Sequence, residues 1–214
     1  MTRASLLLLV PTLMLGGCIK LLPDPPPAPR LYVLEAGQVA RAEGAPIDAV
    51  VSVSDPAGSR TILGTSVVWR TGDQLAYIGQ TEWNGHAEDL LQGVLLDTIQ
   101  HQGRFRAAVR TGDARSDYEV RWTVTNFEVT ESDMKAHFQA QATVVATGRH
   151  VIASEFFNTE ASVADRSATA ATNALARAAR EGSARIGLFA ADAAAQAQAQ
   201  AAAADQANAA SISR

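Results

Sequence analysis

The residue with the clearest chemistry is Cys18, the single cysteine in 214 residues. A lone thiol can form neither an internal disulfide nor a CxxC metal site. Its setting is specific. Arg3 forms a positively charged n-region, Ala4 to Leu15 a short apolar run, and Leu15-Gly16-Gly17 puts small residues directly before the cysteine. This is the pattern of a lipobox: a peptidase cleft admits the small residues, the chain is cut before Cys18, and the Cys18 thiol is the nucleophile that takes a diacylglyceryl group. The alternatives are a buried core cysteine or an ordinary signal cut elsewhere. The apolar run is too short to span a bilayer, and Pro11 would disturb a long helix within it. Ile19, and not an aspartate, follows the cysteine; by resemblance to bacterial sorting rules this favours the outer membrane.

Other side chains able to do chemistry do not assemble into a constellation. G-x-S-x-G, G-x-x-x-x-G-K-[ST], H-E-x-x-H and G-x-G-x-x-G are all missing from the sequence. His86, His101, His137 and His150 share no ligand spacing on one helix, so they read as surface histidines, and no metal or cofactor is expected. Glu88 and Asp89 read as first-turn helix charges. Asp113, Asp117, Glu131 and Asp133 read as solvated turn residues, and Ser66 and Ser154 have no neighbouring base. The sequence therefore predicts no enzyme. Trp69, Tyr77 and Trp83 are the candidate protein-contact patch, since aromatics anchor interfaces; the competing readings are core packing and a lipid or peptide groove.

Composition narrows the partners. Lys and Arg number 18 against 22 Asp and Glu, so losing Arg3 with the signal leaves 17 against 22 and a net charge of -5. That balance argues against nucleic acid or anionic lipid as a bulk electrostatic partner. Residues 19–30 hold Pro23, Pro25, Pro26, Pro27 and Pro29, a density that favours polyproline II and a semi-rigid spacer a few nanometres long. The chain thus divides into a signal (1–17), the lipidated cysteine and tether (18–30), a domain (31–190) and an Ala/Gln-rich tail, helical or disordered (191–214).

Within the domain, Leu31 to Glu35 and Ile47 to Ser54 read as strands, the second ending in an Asp55-Pro56-Ala57-Gly58 turn. Thr61 to Trp69 and Gln74 to Ile78 read as a hairpin turned at Thr71-Gly72-Asp73. A helix follows, capped by Asn84, with Leu91, Val94, Leu95 and Thr98 on its apolar face and Gly103 at its end. Phe105 to Val109 starts a return strand. Tyr118, Val120, Trp122 and Val124 alternate, and the apolar phase then shifts to Phe127 and Val129, so a bulge is expected near Asn126. Met134 to Ala146 and Val151 to Val163 form an antiparallel pair about Thr147 to His150. From Ser167 a long helix carries the stripe Ala171, Leu175, Ala178, Gly182, Ile186 and Phe189. The expected class is α+β: an antiparallel or mixed sheet with two helices on one face.

The order of these features resembles a family. A lipobox, a proline-rich spacer and "LYVL" open the mature chain. Trp69-Arg70 precedes Gln74-Leu75-Ala76-Tyr77; Trp83, a Leu90-Leu91 helix and Gly103-x-Phe105 follow. "DYEVRWTVTNFE" (117–128) leads to the antiparallel pair and an alanine-rich helix. Together they are similar to the ABC-type transport auxiliary lipoproteins, over roughly residues 30–190. Glu82 stands where that family usually has an arginine before the tryptophan, and the Ala/Gln extension is an addition. The resemblance implies an outer-membrane-anchored, periplasm-facing component of an MCE (mammalian-cell-entry) lipid transport system. Its implied partners are the MCE-domain protein of an inner-membrane ABC transporter, the membrane through acyl chains, and further copies of itself. Only Cys18 carries over as a functional position. An envelope assembly lipoprotein, such as a synthase activator, and a lipoprotein binding lipid in its own cavity are the alternatives.

Overall fold

The computed structural model describes residues 27–148 and 150–212; the lipobox and most of the tether lie outside them. In chain order the elements are β1 (Arg30–Tyr32), β2 (Ile47–Val53), β3 (Ala57–Gly58), α1 (Arg60–Leu63), β4 (Ser66–Thr71) and β5 (Gln74–Trp83). Then come α2 (Ala87–Gln102), β6 (Phe105–Arg110), β7 (Tyr118–Thr130), β8 (Lys135–Ala146), β9 (His150–Ser162) and α3 (Ala168–Ile212). The class is α+β, as the pattern of elements predicts.

β7 is the axis of one mixed sheet. One of its edges is paired antiparallel with β8 along its whole length, and β8 pairs antiparallel with β9. Its other edge is divided among three strands, all parallel to it: β2 at Tyr118–Val120, β3 at Thr123–Val124 and β4 at Val129–Thr130. From β2 the sheet continues to a parallel β6, and from β4 to an antiparallel β5 and then β1, which runs parallel to β5. The register of β7 on β8 shifts between Val124 and Asn126, the bulge implied by the change of apolar phase.

The helices cover one face. α3 packs on β8, β9 and β7, α2 packs on β6 and β2, and the two helices pack on each other. Trp83 stacks on Phe127 at 5.7 Å, Phe127 meets Phe138 edge-on at 6.3 Å, and Trp122 lies 6.4 Å from Phe138, filling the space under α3. Alanines at 171, 174, 178, 179, 190 and 194 are buried, which lets the helix lie close to the sheet.

Three local expectations are corrected. The run from Thr61 is not one strand: the Ser59 hydroxyl accepts from the Thr61 amide and caps α1, Ile62 and Leu63 turn into the core, and β4 begins at Ser66. The tetrapeptide at Asp55 is not only a turn, because Ala57–Gly58 pairs with β7. Asn84 does not cap α2; its amide donates to the Tyr32 carbonyl at 2.8 Å, and the helix starts three residues later with His86 at the N-cap position and no side-chain cap bond. Gly103 does end α2, in the left-handed region at φ 68°.

The Ala/Gln-rich stretch continues α3 as helix through Ile212. Ala191, Ala193 and Ala194 are buried, and the Gln198 side chain bonds the Tyr118 phenol; from Gln198 outward the helix is exposed.

Candidate interaction surfaces

The strand directions give the molecule two distinct ends. β4 and β7 run towards the β4–β5 hairpin, while β5, β1, β8 and α3 run away from it. β1 pairs with the second half of β5, Arg30 opposite Thr81 and Tyr32 opposite Trp83. Residues entering β1 therefore approach from the hairpin side. The same end holds the turn between β7 and β8 and the start of α3, where Arg166 pairs with Glu131 at 2.6 Å. The exposed part of α3 leaves from the opposite end, past Tyr118.

Of the sequence-derived site residues, Leu15, Gly16, Gly17 and Cys18 lie outside the described residues. The aromatic patch does not form as a unit. Trp83 is 2% exposed and belongs to the core, in its stack with Phe127. Val68 pairs with Tyr77 and Trp69 with Ala76, and side chains alternate along a strand. Trp69 and Tyr77 thus lie on opposite faces of the hairpin, Trp69 half-buried and Tyr77 59% exposed. Tyr77 shares the hairpin with Leu75, which is also exposed.

The sheet face away from the helices is polar. The Ser154 and Thr143 hydroxyls bond at 2.8 Å and the Gln141 amide donates to Ser154, so Ser154 has hydroxyl and amide neighbours and no imidazole. At the hairpin end of this face, His137 lies 3.1 Å from Asp133 and 3.5 Å from Glu160, and Lys135 lies 2.6 Å from Glu160. The Lys135 ammonium holds the Glu160 carboxyl below its usual range and is itself raised by Glu160. Burial pushes the Tyr118 phenol up. Hydrogen bonds from Ser167 hold the Asp165 carboxyl down at the start of α3. Arg70 donates to Glu128, a carboxylate only 2% exposed, at 2.5 Å and joins β4 to β7. Among the described residues no three His, Cys, Asp or Glu side chains gather in a way that could hold a metal ion, and no helix is long and apolar enough to cross a membrane. Arg70–Glu128 ties β4 to β7, and Lys135–Glu160 ties β8 to β9.

The chain from residue 32 to 187 matches the model of the family described as "ABC-type transport auxiliary lipoprotein component". The chain belongs to this family. The chain is also similar in structure to protein XCC0632 of Xanthomonas campestris, at TM-score 0.72 and 19% identity over 79% of this chain and 98% of that one. A second solved structure, titled only as an uncharacterized protein, gives 0.58 and 16% over 71% and 99%. At such identities the likeness speaks for the fold. A search of the curated proteins gave no match.

Sequence reasoning missed one surface of the auxiliary lipoprotein. β9 and α3 flank an open groove of about 630 Å³ whose floor includes Phe157 and Phe189, with Phe156 53% exposed and Leu188 41% exposed. The sequence held a signal for part of it: of two consecutive aromatics on one strand, Phe157 turns towards α3 and Phe156 to the other face, where no helix covers it.

Proposed function

We propose that this auxiliary lipoprotein is held on the periplasmic side of the outer membrane by acyl chains on Cys18 and docks, as a homo-oligomer, the MCE-domain protein of an inner-membrane ABC transporter. Its work is positional and not catalytic. The observation that carries the reading is the family match across residues 32–187. Chain direction supports it: β1 receives the tether from the hairpin end, and α3 extends from the opposite end, so one end is left to the membrane and the other to a partner across the periplasm.

The test is a pull-down from a crosslinked envelope of cells producing the full chain, with Cys18→Ala as the second arm. The expected result is recovery of an MCE-domain protein with the wild type, and release of the Cys18→Ala chain into the soluble fraction, because stable anchoring needs the acyl chains, each buried CH₂ contributing about 0.8 kcal/mol. Recovery of a peptidoglycan synthase and no MCE protein would show an assembly lipoprotein instead. Cys18→Ala persisting in the membrane pellet would remove the anchor from the reading.

A further inference from the structure

The β9 edge and the α3 stripe beside it form a self-complementary surface. Thirteen residues long, β9 pairs only with β8; among the described residues no strand lies on its outer edge, where Arg185 Nη1 reaches the Asn158 carbonyl at 3.5 Å. Neither proline nor lysine interrupts it, and its one irregularity, a bulge at Ile152, lies near its start and leaves the stretch about Phe156 regular. A row of alternating backbone donors and acceptors is satisfied best by another strand. Phe156 is the midpoint of His150–Ser162.

We infer that a second copy of this chain occupies the edge, β9 pairing antiparallel with its own copy about a two-fold axis at Phe156, with Arg185 of each α3 meeting Asp192 of the other. The inference rests on the self-association part of the reading above and names its surface.

The first argument is charge. Arg185, Leu188 and Asp192 lie on one stripe of α3, which runs antiparallel to β9, with Arg185 beside Asn158 and Gln196 near Ile152. A two-fold axis through Phe156 carries the Arg185 level onto the Asp192 level and leaves Leu188 facing its copy. Both charges are accessible for this: Arg185 pairs with Glu181, each about half-exposed, and Asp192 reaches Arg104 only at 3.5 Å while 64% exposed. Two Arg–Asp meetings stand against one like-charge meeting, in which Glu155 faces its copy on the diagonal about 7–8 Å away.

The second argument is spacing. α3 packs on both β8 and β9. Strands lie about 4.8 Å apart, so a helix centred between β8 and β9 comes to rest two strand spacings, about 10 Å, from its copy. That is the distance at which helices pack. Pairing therefore closes the sheet edges and the helix seam together, and the exposed Phe156 and Leu188 are covered in the same step.

The experiment uses the full chain in the membranes of producing cells, with oxidative cross-linking read on a non-reducing gel. Directly opposed strand residues have Cα atoms about 4.5–5.5 Å apart, within disulfide reach. Phe156→Cys should give a disulfide dimer. Val151→Cys should not, since two copies of residue 151 are ten strand positions apart, about 33 Å. Adding Arg185→Asp to Phe156→Cys should reduce the dimer several-fold, and adding Asp192→Arg to that variant should restore it. Absence of a Phe156→Cys dimer, equal cross-linking from Val151→Cys, or no rescue by the charge swap would overturn the inference. A cross-linked product that is not twice the chain mass would assign the edge to a foreign strand and overturn it too. Capture or loss of the MCE protein leaves these bands unchanged, so the two readings fail separately.

Discussion

At the residue scale the fold depends on how closely α3 approaches the sheet, and Gly182 is where the approach is tightest. A Cβ at that position would lie 2.3 Å from Phe138 Cδ1 and 2.4 Å from Cε1, inside any allowed contact. The Phe138 ring cannot retreat, because Phe127 and Trp122 hold its other sides. Gly182→Ala should therefore destabilise the protein by about 1–3 kcal/mol through overpacking, although alanine is the better helix former by about 1 kcal/mol. A lowered denaturant midpoint is the measurement; an unchanged or raised one would mean that α3 sits further from the sheet. The Lys135–Glu160 pair gives a pH expectation. Glu160 is depressed in the folded state, so its contribution is present above its ordinary value of 4.5 and fades as pH falls through the depressed one. Lys135 is raised, so its contribution holds below 10.5 and fades as pH rises through the raised value. Lys135→Gln should accordingly lower the denaturant midpoint at pH 7 slightly, and the gap from wild type should shrink towards pH 3. A gap that widens on acidification would contradict the assignment.

Elements differ in how well their sequence announces them. The alternation of Tyr118, Val120, Trp122 and Val124, with its phase shift at Asn126, predicts β7 and its bulge because one face is buried and one is not. Gly103 predicts the end of α2 because the left-handed conformation it adopts suits glycine. Short elements were less legible. α1 is a single turn set by Ser59 and by burial of Ile62 and Leu63, which local β-rich composition outweighs in a sequence reading. The start of α2 lies beyond Asn84 because the Asn84 backbone N–H binds the Tyr32 carbonyl, which extends the sheet pairing of β5 and β1 past Trp83, and the helix begins only at Ala87. The aromatic patch failed for the same reason: which of Trp69, Tyr77 and Trp83 faces solvent depends on the pairing of β5 and on packing against Phe127. α3 shows the limit in the other direction, since its Ala/Gln-rich half has no large side chain and still packs as far as Ala197. Removing residues 199–212 should leave the unfolding midpoint unchanged. Removing 190–212 should cost about 3 kcal/mol, from the lost burial of the methyls of Ala190, Ala191, Ala193 and Ala194 at about 0.8 kcal/mol each. Equal stability of the two truncations, measured by urea unfolding, would show that the helix beyond Phe189 is not part of the packed domain.

For the whole molecule the decisive feature is its polarity. If the chain is anchored through Cys18 as proposed, a tether entering β1 from the hairpin end would set the hairpin, with Leu75 and Tyr77, nearest the membrane and aim α3 away from it. Twelve tether residues in polyproline II span about 40 Å at most. Along α3, Asp205 lies about 55 Å beyond the helix start at 1.5 Å per residue. A donor dye on Asp73→Cys, in the hairpin turn, should thus transfer energy efficiently to acceptor-labelled lipid in vesicles carrying the acylated protein, whereas the same dye on Asp205→Cys should transfer several-fold less. On the proposed reading the acyl group blocks Cys18, so each variant carries one labelling site. Equal transfer from the two positions would mean that the domain lies flat on the bilayer, and stronger transfer from Asp205 that it stands inverted; either result would leave the α3 tip unable to meet a partner across the periplasm.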